Sequence, residues 1–214
     1  MLQTRELAVR PMTALAGALR RVASDLASAR APWALVGGLA VSVRGEPRFT
    51  RDIDIAVAVA TDTDAERLVA DLLSCGYRTL AVLEHEATGR LATVRLRMPG
   101  QPASGIIVDL LLASSGIEAE IAAAAESMVV FPGVAIPVAR RDHLMALKVL
   151  ARDDARRPMD RADLLTLLAV ASASEIESAI VAMNLVTERG YARGKNLVAE
   201  FSEVRADSAV GDGG

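Results

Sequence analysis

The 214-residue chain is 52% hydrophobic but only 3% aromatic and carries a net charge of −3. That length suits one domain, or a catalytic core with a helical appendage, around a core of Ala, Leu, Val and Ile. The acidic balance argues against a protein that coats nucleic acid non-specifically, while leaving room for a local basic face. A single cysteine, Cys75, rules out an intramolecular disulfide. It ends the apolar run LVADLLSC and is expected to be a buried thiol, and no cluster of Cys and His suggests zinc. No apolar run reaches the roughly 18 residues of a membrane span and no signal peptide opens the chain, so a cytoplasmic protein with no membrane partner is expected.

Residues 12–30 place Leu15, Leu19, Val22 and Leu26 at spacings of three and four, the pattern of an amphipathic helix packing on a sheet. Ala34, Leu35 and Val36 read as a short strand that stops at Gly37 and Gly38, before a short helical stretch from Leu39 to Arg44. Glycines there let backbone N–H groups approach an anion, and the helix N-terminus adds a favourable dipole, which makes a candidate phosphate cradle. A loop with Arg48, Thr50 and Arg51 leads to Asp52, Ile53 and Asp54 at the start of an apolar strand. Alternate side chains of a strand leave opposite faces, so Asp52 and Asp54 point the same way, roughly 6 to 7 Å apart at the backbone. Ile53, Ile55, Val57 and Val59 enter the core. Two partly buried carboxylates repel each other unless a cation lies between them. Oxygen-only ligands favour Mg²⁺, or Mn²⁺, which keeps waters and takes substrate phosphates as further ligands.

Thr63 and Glu66 form a candidate capping box for a helix ending at Gly76, with Leu68, Val69, Leu72 and Leu73 on its inner face. Residues 77–83 and 90–97 read as strands joined by a turn around Thr88 and Gly89. Arg95 and Arg97 share a face of the second strand, solvated on an open edge or meeting phosphates in a cleft. The run GIIVDLLLAS is apolar on both parities except for Asp109, as in a fully buried central strand. Pairing with an arginine such as Arg95 would satisfy that carboxylate, and so would a place in a site. Residues 115–126 have helical propensity, and MVVFPGVAIPVA reads as a hairpin around Pro132 and Gly133.

Near Ala139 the composition shifts, dividing the chain into residues 1–139, a helical region 140–205 and a disordered tail 206–214. Residues 140–161 hold seven Lys or Arg against four Asp. Leu144, Leu147 and Ala151 make the apolar stripe of a helix, with Lys148 and Arg152 one turn apart beside it. Pro158 enters the next helix, where Asp160 and Asp163 share a face. Asp160 serves equally as a cap or a site residue; Asp163, inside the helix, belongs to a site or bridges Lys148. Ser174 and Glu177 suggest another capping box, for a helix closed by Gly190. His85 and His143 lack triad partners at readable spacing and are expected to be structural or surface residues.

The order Gly-Gly, short helix, Arg-x-Thr-x-Asp-x-Asp in GGLAVSVRGEPRFTRDIDIAV resembles the nucleotidyltransferase superfamily related to DNA polymerase β. More narrowly it looks like the AbiEii/AbiGii toxin-type nucleotidyltransferases of bacterial toxin–antitoxin and phage-defence systems. The succession Lys148, Arg152, Arg157, Asp160, Asp163, Leu164 is similar to that family's second block, so the resemblance spans residues 33 to about 165. It implies an α+β fold, a mixed β-sheet core flanked by helices and followed by a C-terminal helical region. It also implies an NTP with its phosphates against Gly37 and Gly38, Asp52 and Asp54 holding Mg²⁺, and Asp109 as the third carboxylate. Lys148 would meet the β- and γ-phosphates near Asp163, with Arg48 or Arg51 as a secondary clamp and Thr50 fixing the loop or bonding a phosphate. The implied reaction moves NMP to a hydroxyl acceptor, with RNA, tRNA in particular, favoured by the basic stretch 140–161. A cognate antitoxin is the implied partner. A protein or aminoglycoside-like small molecule is the other acceptor allowed, and a non-catalytic nucleotide-binding or partner-binding module the other class. Gly38 stands where many superfamily members have Ser, so no hydroxyl is offered to a phosphate there.

Overall fold

Seven short strands form one mixed sheet flanked by helices, in a computed structural model that describes residues 3–102 and 105–211 and the side chains of 14–102 and 105–208. In chain order the elements are α1 (Gln3–Ala29), β1 (Trp33–Val36), α2 (Gly37–Arg44), β2 (Ile53–Val57), α3 (Asp62–Ser74), β3 (Arg78–Glu84), β4 (Leu91–Arg97) and β5 (Ile107–Leu111). There follow α4 (Glu118–Ala123), β6 (Glu126–Phe131), β7 (Val134–Val138), α5 (Arg141–Ala151), α6 (Pro158–Ala169), α7 (Ala173–Glu188) and α8 (Leu197–Gly211). The strand order is β3-β4-β5-β2-β1-β7-β6. β2 lies parallel to β5 and antiparallel to β1, and β1 lies parallel to β7. β3–β4, β4–β5 and β6–β7 are antiparallel pairs. This is the α+β, mixed-sheet class that the sequence leads one to expect.

The core follows from the apolar periods. Ile53, Ile55 and Val57 are fully buried, as are Leu19, Val22 and Leu26 of α1, each contributing about 1.5–3 kcal/mol by its removal from water. α1 contacts α3 and β7, while α2 packs on β1 and β2 and touches α5 and α6 on its other side. With so few aromatics, the largest fully buried side chain is Phe201 of α8, which contacts α5, α6 and α7.

Several local expectations shift. α3 is capped by Thr61, whose hydroxyl accepts the Asp64 N–H at 3.1 Å, rather than by Thr63, which sits inside the first turn. In the overlapping Ser-x-Ser-Glu-x-Glu, the box forms between Ser172 and Glu175, one pair earlier than Ser174 and Glu177, because Glu175 also meets Arg141. α4 is shorter than residues 115–126, since the Glu118 carboxylate accepts the Ser114 and Ser115 N–H groups at 2.8 and 2.7 Å and holds them in a turn. Cys75 is exposed, not buried: α3 buries only Ala65, Leu68 and Leu72, and Cys75 is its C-cap. α8 continues to Gly211, across much of the stretch whose composition suggests a disordered tail; residues 212–214 lie outside the described residues.

Candidate active site

Strand register brings the acidic residues together. Val36 of β1 pairs with Asp54, Asp54 with Asp109 of β5, and Asp109 with Arg95 of β4. Residues paired across neighbouring strands share a face, and strands lie about 4.8 Å apart, so Asp54, Asp109 and Arg95 form a row across the sheet. Asp52, two residues before Asp54, joins the same face. Arg95 donates to Asp109 through both nitrogens of its fork, Nε to Oδ1 at 2.8 Å and Nη2 to Oδ2 at 2.7 Å. The carboxylate on the central strand is therefore a partner of Arg95, one of the readings its sequence left open, and a register neighbour of Asp54. Burial, reinforced by the negative charge of Asp109, raises Asp52 above the ordinary carboxylate range and pushes Asp54 up to about 6.

Opposite the row stands a buried knot of charge. The Lys148 ammonium on α5 lies 2.8 Å from Asp160 Oδ1 and 2.7 Å from Asp163 Oδ2, and all three residues are buried. Arg48, from the loop before β2, grips Asp163 with Nε at 2.5 Å and Nη2 at 2.7 Å. Arg157 Nε lies 2.6 Å from Asp160 Oδ2 but out of line for a hydrogen bond, so it supplies charge rather than a directed donor. Asp160 is not the cap of α6: it lies within the first turn, and the N-cap position is Arg157.

The two glycines have reasons beyond an anion. Gly37 has φ +64°, and a Cβ there would stand 2.0 Å from Asp54 Oδ2; a Cβ on Gly38 would stand 2.4 Å from Arg48 Nη2. The Arg48 guanidinium thus fills the space that a side chain at position 38 would need. Gly37→Ala is expected to lose both stability, by about 1–3 kcal/mol of backbone strain, and the placing of Asp54. Thermal melting beside a nucleotide-binding titration checks this; an alanine variant with native binding would contradict it.

Around these groups opens a cleft of about 560 Å³. Gly37, Gly38, Arg48, Thr50, Asp52, Asp54, Asp109 and Lys148 all line it, with Asp163 just behind, bonded to Lys148 and Arg48. Lys148 and five arginines face four aspartates across it. Arg51 does not join them: it lies over the Phe49 ring, 5.5 Å from the centroid. His85 is buried against Tyr191, with ring centroids 4.4 Å apart. His143 belongs to a separate groove of about 480 Å³ between α4, α5 and α7, which shares no residue with the acidic cleft. Among the described residues no three His, Cys, Asp or Glu side chains converge closely enough to enclose a metal ion.

The sequence profile described as "Nucleotidyl transferase AbiEii toxin, Type IV TA system" matches residues 18–210. The chain belongs to the AbiEii nucleotidyltransferase family. This AbiEii chain is therefore a nucleotidyltransferase, with a nucleotide as its substrate. No curated protein sequence matches it. Solved structures similar to it include an antigenic nucleotidyltransferase-like protein from Paracoccidioides brasiliensis, at 18% identity over 89% of this chain and 93% of that one, with a TM-score of 0.48. The antibiotic-resistance factor ANT(2'')-Ia matches at 16% identity over 94% and 96%, with a TM-score of 0.47. The lincosamide antibiotic adenylyltransferase LnuA matches at 15% over 72% and 97%, with a TM-score of 0.43. Among the described residues of the AbiEii chain, no helix is long and apolar enough to cross a membrane.

The row gives the AbiEii chain a pH dependence. Asp54 titrates near 6 when folded against 3.8 for a free carboxyl, so the folded state binds its proton more tightly than the unfolded state does. Stability attributable to Asp54 is highest below 4, falls as pH rises toward 6, and is lower by about 3 kcal/mol above that. In EDTA, the melting-temperature difference between the native chain and Asp54→Asn should widen from pH 4.5 to 7.5; a constant difference would contradict it. One cleft residue has no counterpart in the sequence reading: Arg193, from the turn between α7 and α8. Neither periodicity nor a motif marks it.

Proposed function

We propose that this chain transfers NMP from an NTP to a hydroxyl of RNA, most naturally tRNA, in a metal-dependent reaction, as the toxin of a toxin–antitoxin pair. The observation that carries the reading is the in-register row of Asp54, Asp109 and Arg95, with Asp52 on the same face, opening on a cleft rich in cations. The residues fit a hard divalent ion: their donors are all oxygen, Asp52 and Asp54 are both raised by burial and by a neighbouring negative charge, and the missing Cβ of Gly37 lets the Asp54 carboxylate lie against the turn. Asp52 and Asp54 would hold Mg²⁺ or Mn²⁺, and Asp109 would complete the set. Such an ion, when bound, supplies charge neutralisation and polarises phosphate and hydroxyl oxygens.

The chain's own groups do the rest. Backbone N–H groups after Gly37 at the start of α2 receive phosphate oxygens. Arg48 and Lys148 offset the charge of the triphosphate from the far wall, held there by Asp163 and Asp160. Thr50, at the cleft rim, bonds a phosphate or fixes the loop. The acceptor hydroxyl gives up its proton to a carboxylate of the acidic row, its oxygen bonds the α-phosphorus as the bond to pyrophosphate breaks, and the row positions both partners. The toxin description of the family supports a cognate antitoxin as a partner.

The test incubates the protein with Mg²⁺, total cellular RNA and each of the four labelled NTPs in turn, beside an Asp52→Ala, Asp54→Ala variant. Label entering a tRNA-sized band with the native chain alone is the expected result. Label entering protein or an added aminoglycoside instead would keep the transfer and overturn the acceptor.

A further inference from the structure

Arg193 is held in an unusual posture. Its backbone is in the left-handed region at φ +55°, followed by Gly194 at +75°, a conformation that costs a non-glycine residue about 1–3 kcal/mol and persists only where the surroundings enforce it. Here they do. Tyr191 is buried against the His85 ring and closes over Gly116, where a Cβ would stand 2.4 Å from its ring. Lys195 bonds the carbonyls of Val149 and Arg152 at the end of α5, and Arg189 reaches the Gly116 carbonyl. The turn is pinned on both sides, and it presents Arg193 into the cleft.

The guanidinium so presented is under-used. Its Nη2 donates to the Ser114 carbonyl at 3.0 Å and approaches the Ser114 hydroxyl at 3.3 Å. Among the described residues it forms no salt bridge, in contrast to Arg48, Arg95 and Arg157, each paired with an aspartate. Glu118, the acid nearest in sequence to Ser114, is engaged with the Ser114 and Ser115 N–H groups and the Ser115 hydroxyl. Partial desolvation and the neighbouring charge of Arg157 lower the Arg193 pKa, so the position favours an anion as a ligand.

Its place along the strands separates it from the nucleotide's phosphates. Gly37 follows β1, whose end is level with Asp54 near the start of β2. Ser114 follows the opposite end of β5, beyond Leu111, and β5 runs parallel to β2. The Gly-Gly turn is thus level with the acidic row, and Arg193, bonded to Ser114, stands toward the other end of the strands. An in-line displacement puts the leaving pyrophosphate and the attacking hydroxyl on opposite sides of the α-phosphorus.

We infer that Arg193 receives a backbone phosphate of the acceptor polynucleotide, at the end of the cleft away from the nucleotide's own phosphates. The assignment rests on the RNA reading above and adds to it the residue that holds the acceptor. A planar fork with Nε and Nη1 unspent suits a phosphate's paired oxygens.

The test measures binding of unfractionated tRNA by fluorescence anisotropy between 50 and 300 mM KCl, and binding of ATP in Ca²⁺, for the native chain, Arg193→Gln and Arg193→Lys. Glutamine can keep the single bond to Ser114 while removing the charge. The expected result for Arg193→Gln is about tenfold weaker tRNA binding, a log–log salt slope shallower by about 0.7–0.9, and ATP affinity within about twofold of native. Arg193→Lys should keep the native slope, which separates a phosphate contact from a staple for the Ser114 turn. An unchanged slope in Arg193→Gln, with native tRNA binding intact, overturns the assignment and leaves the RNA reading standing. Loss of ATP binding instead would move Arg193 to the triphosphate and overturn it as well. If the native chain binds ATP but no tRNA, the RNA reading falls and the assignment with it.

Discussion

Asp54→Asn is expected to lower nucleotidyl transfer by about 10³-fold or more while raising the melting temperature of the metal-free protein. The two effects have one cause. Asp54 sits beside Asp109 in register, and burial with that second charge pushes its pKa up to about 6. At neutral pH the folded chain therefore carries an ionised carboxylate in a place that disfavours ionisation, at a cost of about 3 kcal/mol. An amide of the same shape removes that cost, and with it the charge that the proposed reaction needs. Side-by-side assays of transfer and of melting in EDTA at pH 7.5 measure both. A variant that is inactive and also markedly less stable would show that Asp54 is a structural acid, not a poised one.

Lys148→Met is expected to cost 3–5 kcal/mol of stability as well as activity. Lys148 is 8% exposed and its ammonium is shared by Asp160 at 2.8 Å and Asp163 at 2.7 Å, which are themselves 3% and 1% exposed. Removing the cation strands two buried carboxylates, of which Asp163 keeps Arg48 and Asp160 keeps the misaligned Arg157. Replacing the carboxylates as well, in Lys148→Met, Asp160→Asn, Asp163→Asn, should recover most of the lost stability, because buried polar groups without net charge are far cheaper to desolvate. Transfer should not return. Denaturant melts of the single and triple variants decide the matter: equal stability losses in both would mean that the knot acts through packing and not through charge.

What was legible in the sequence was local. The alternation of Asp52, Ile53, Asp54 and Ile55 states a strand and a face in four residues, and one carboxylate in GIIVDLLLAS marks itself. The i, i+3 spacing places Asp160 and Asp163 on one face of α6. It does not show that both end on Lys148, because that depends on how α5 packs against α6. The partner of Arg48 lies 115 residues away, and no spacing rule reaches that far. The pairing of Arg95 with Asp109 needed the strand order, which brings β4 beside β5. Ser172 and Ser174 both begin a Ser-x-x-Glu, and only the contact of Glu175 with Arg141 selects the first. Cys75 was misplaced because an apolar run does not say which side of its helix meets the sheet. Arg193 sits in a tight turn held by buried neighbours from three other segments, so its direction is a property of the fold alone.

The ionic knot also sets a timetable for the newly made chain. A ribosome that has reached the end of β7 has already produced Gly37, Arg48, Asp52, Asp54 and Asp109, yet none of Lys148, Asp160 or Asp163. Until α6 emerges, Arg48 lacks the carboxylate that positions it, and the wall opposite the acidic row does not exist. Bringing residue 48 to residue 163 is a long-range closure, slow relative to helix formation. A nascent chain built this way lacks the cationic wall of its cleft until the last third of the chain has folded back over the sheet.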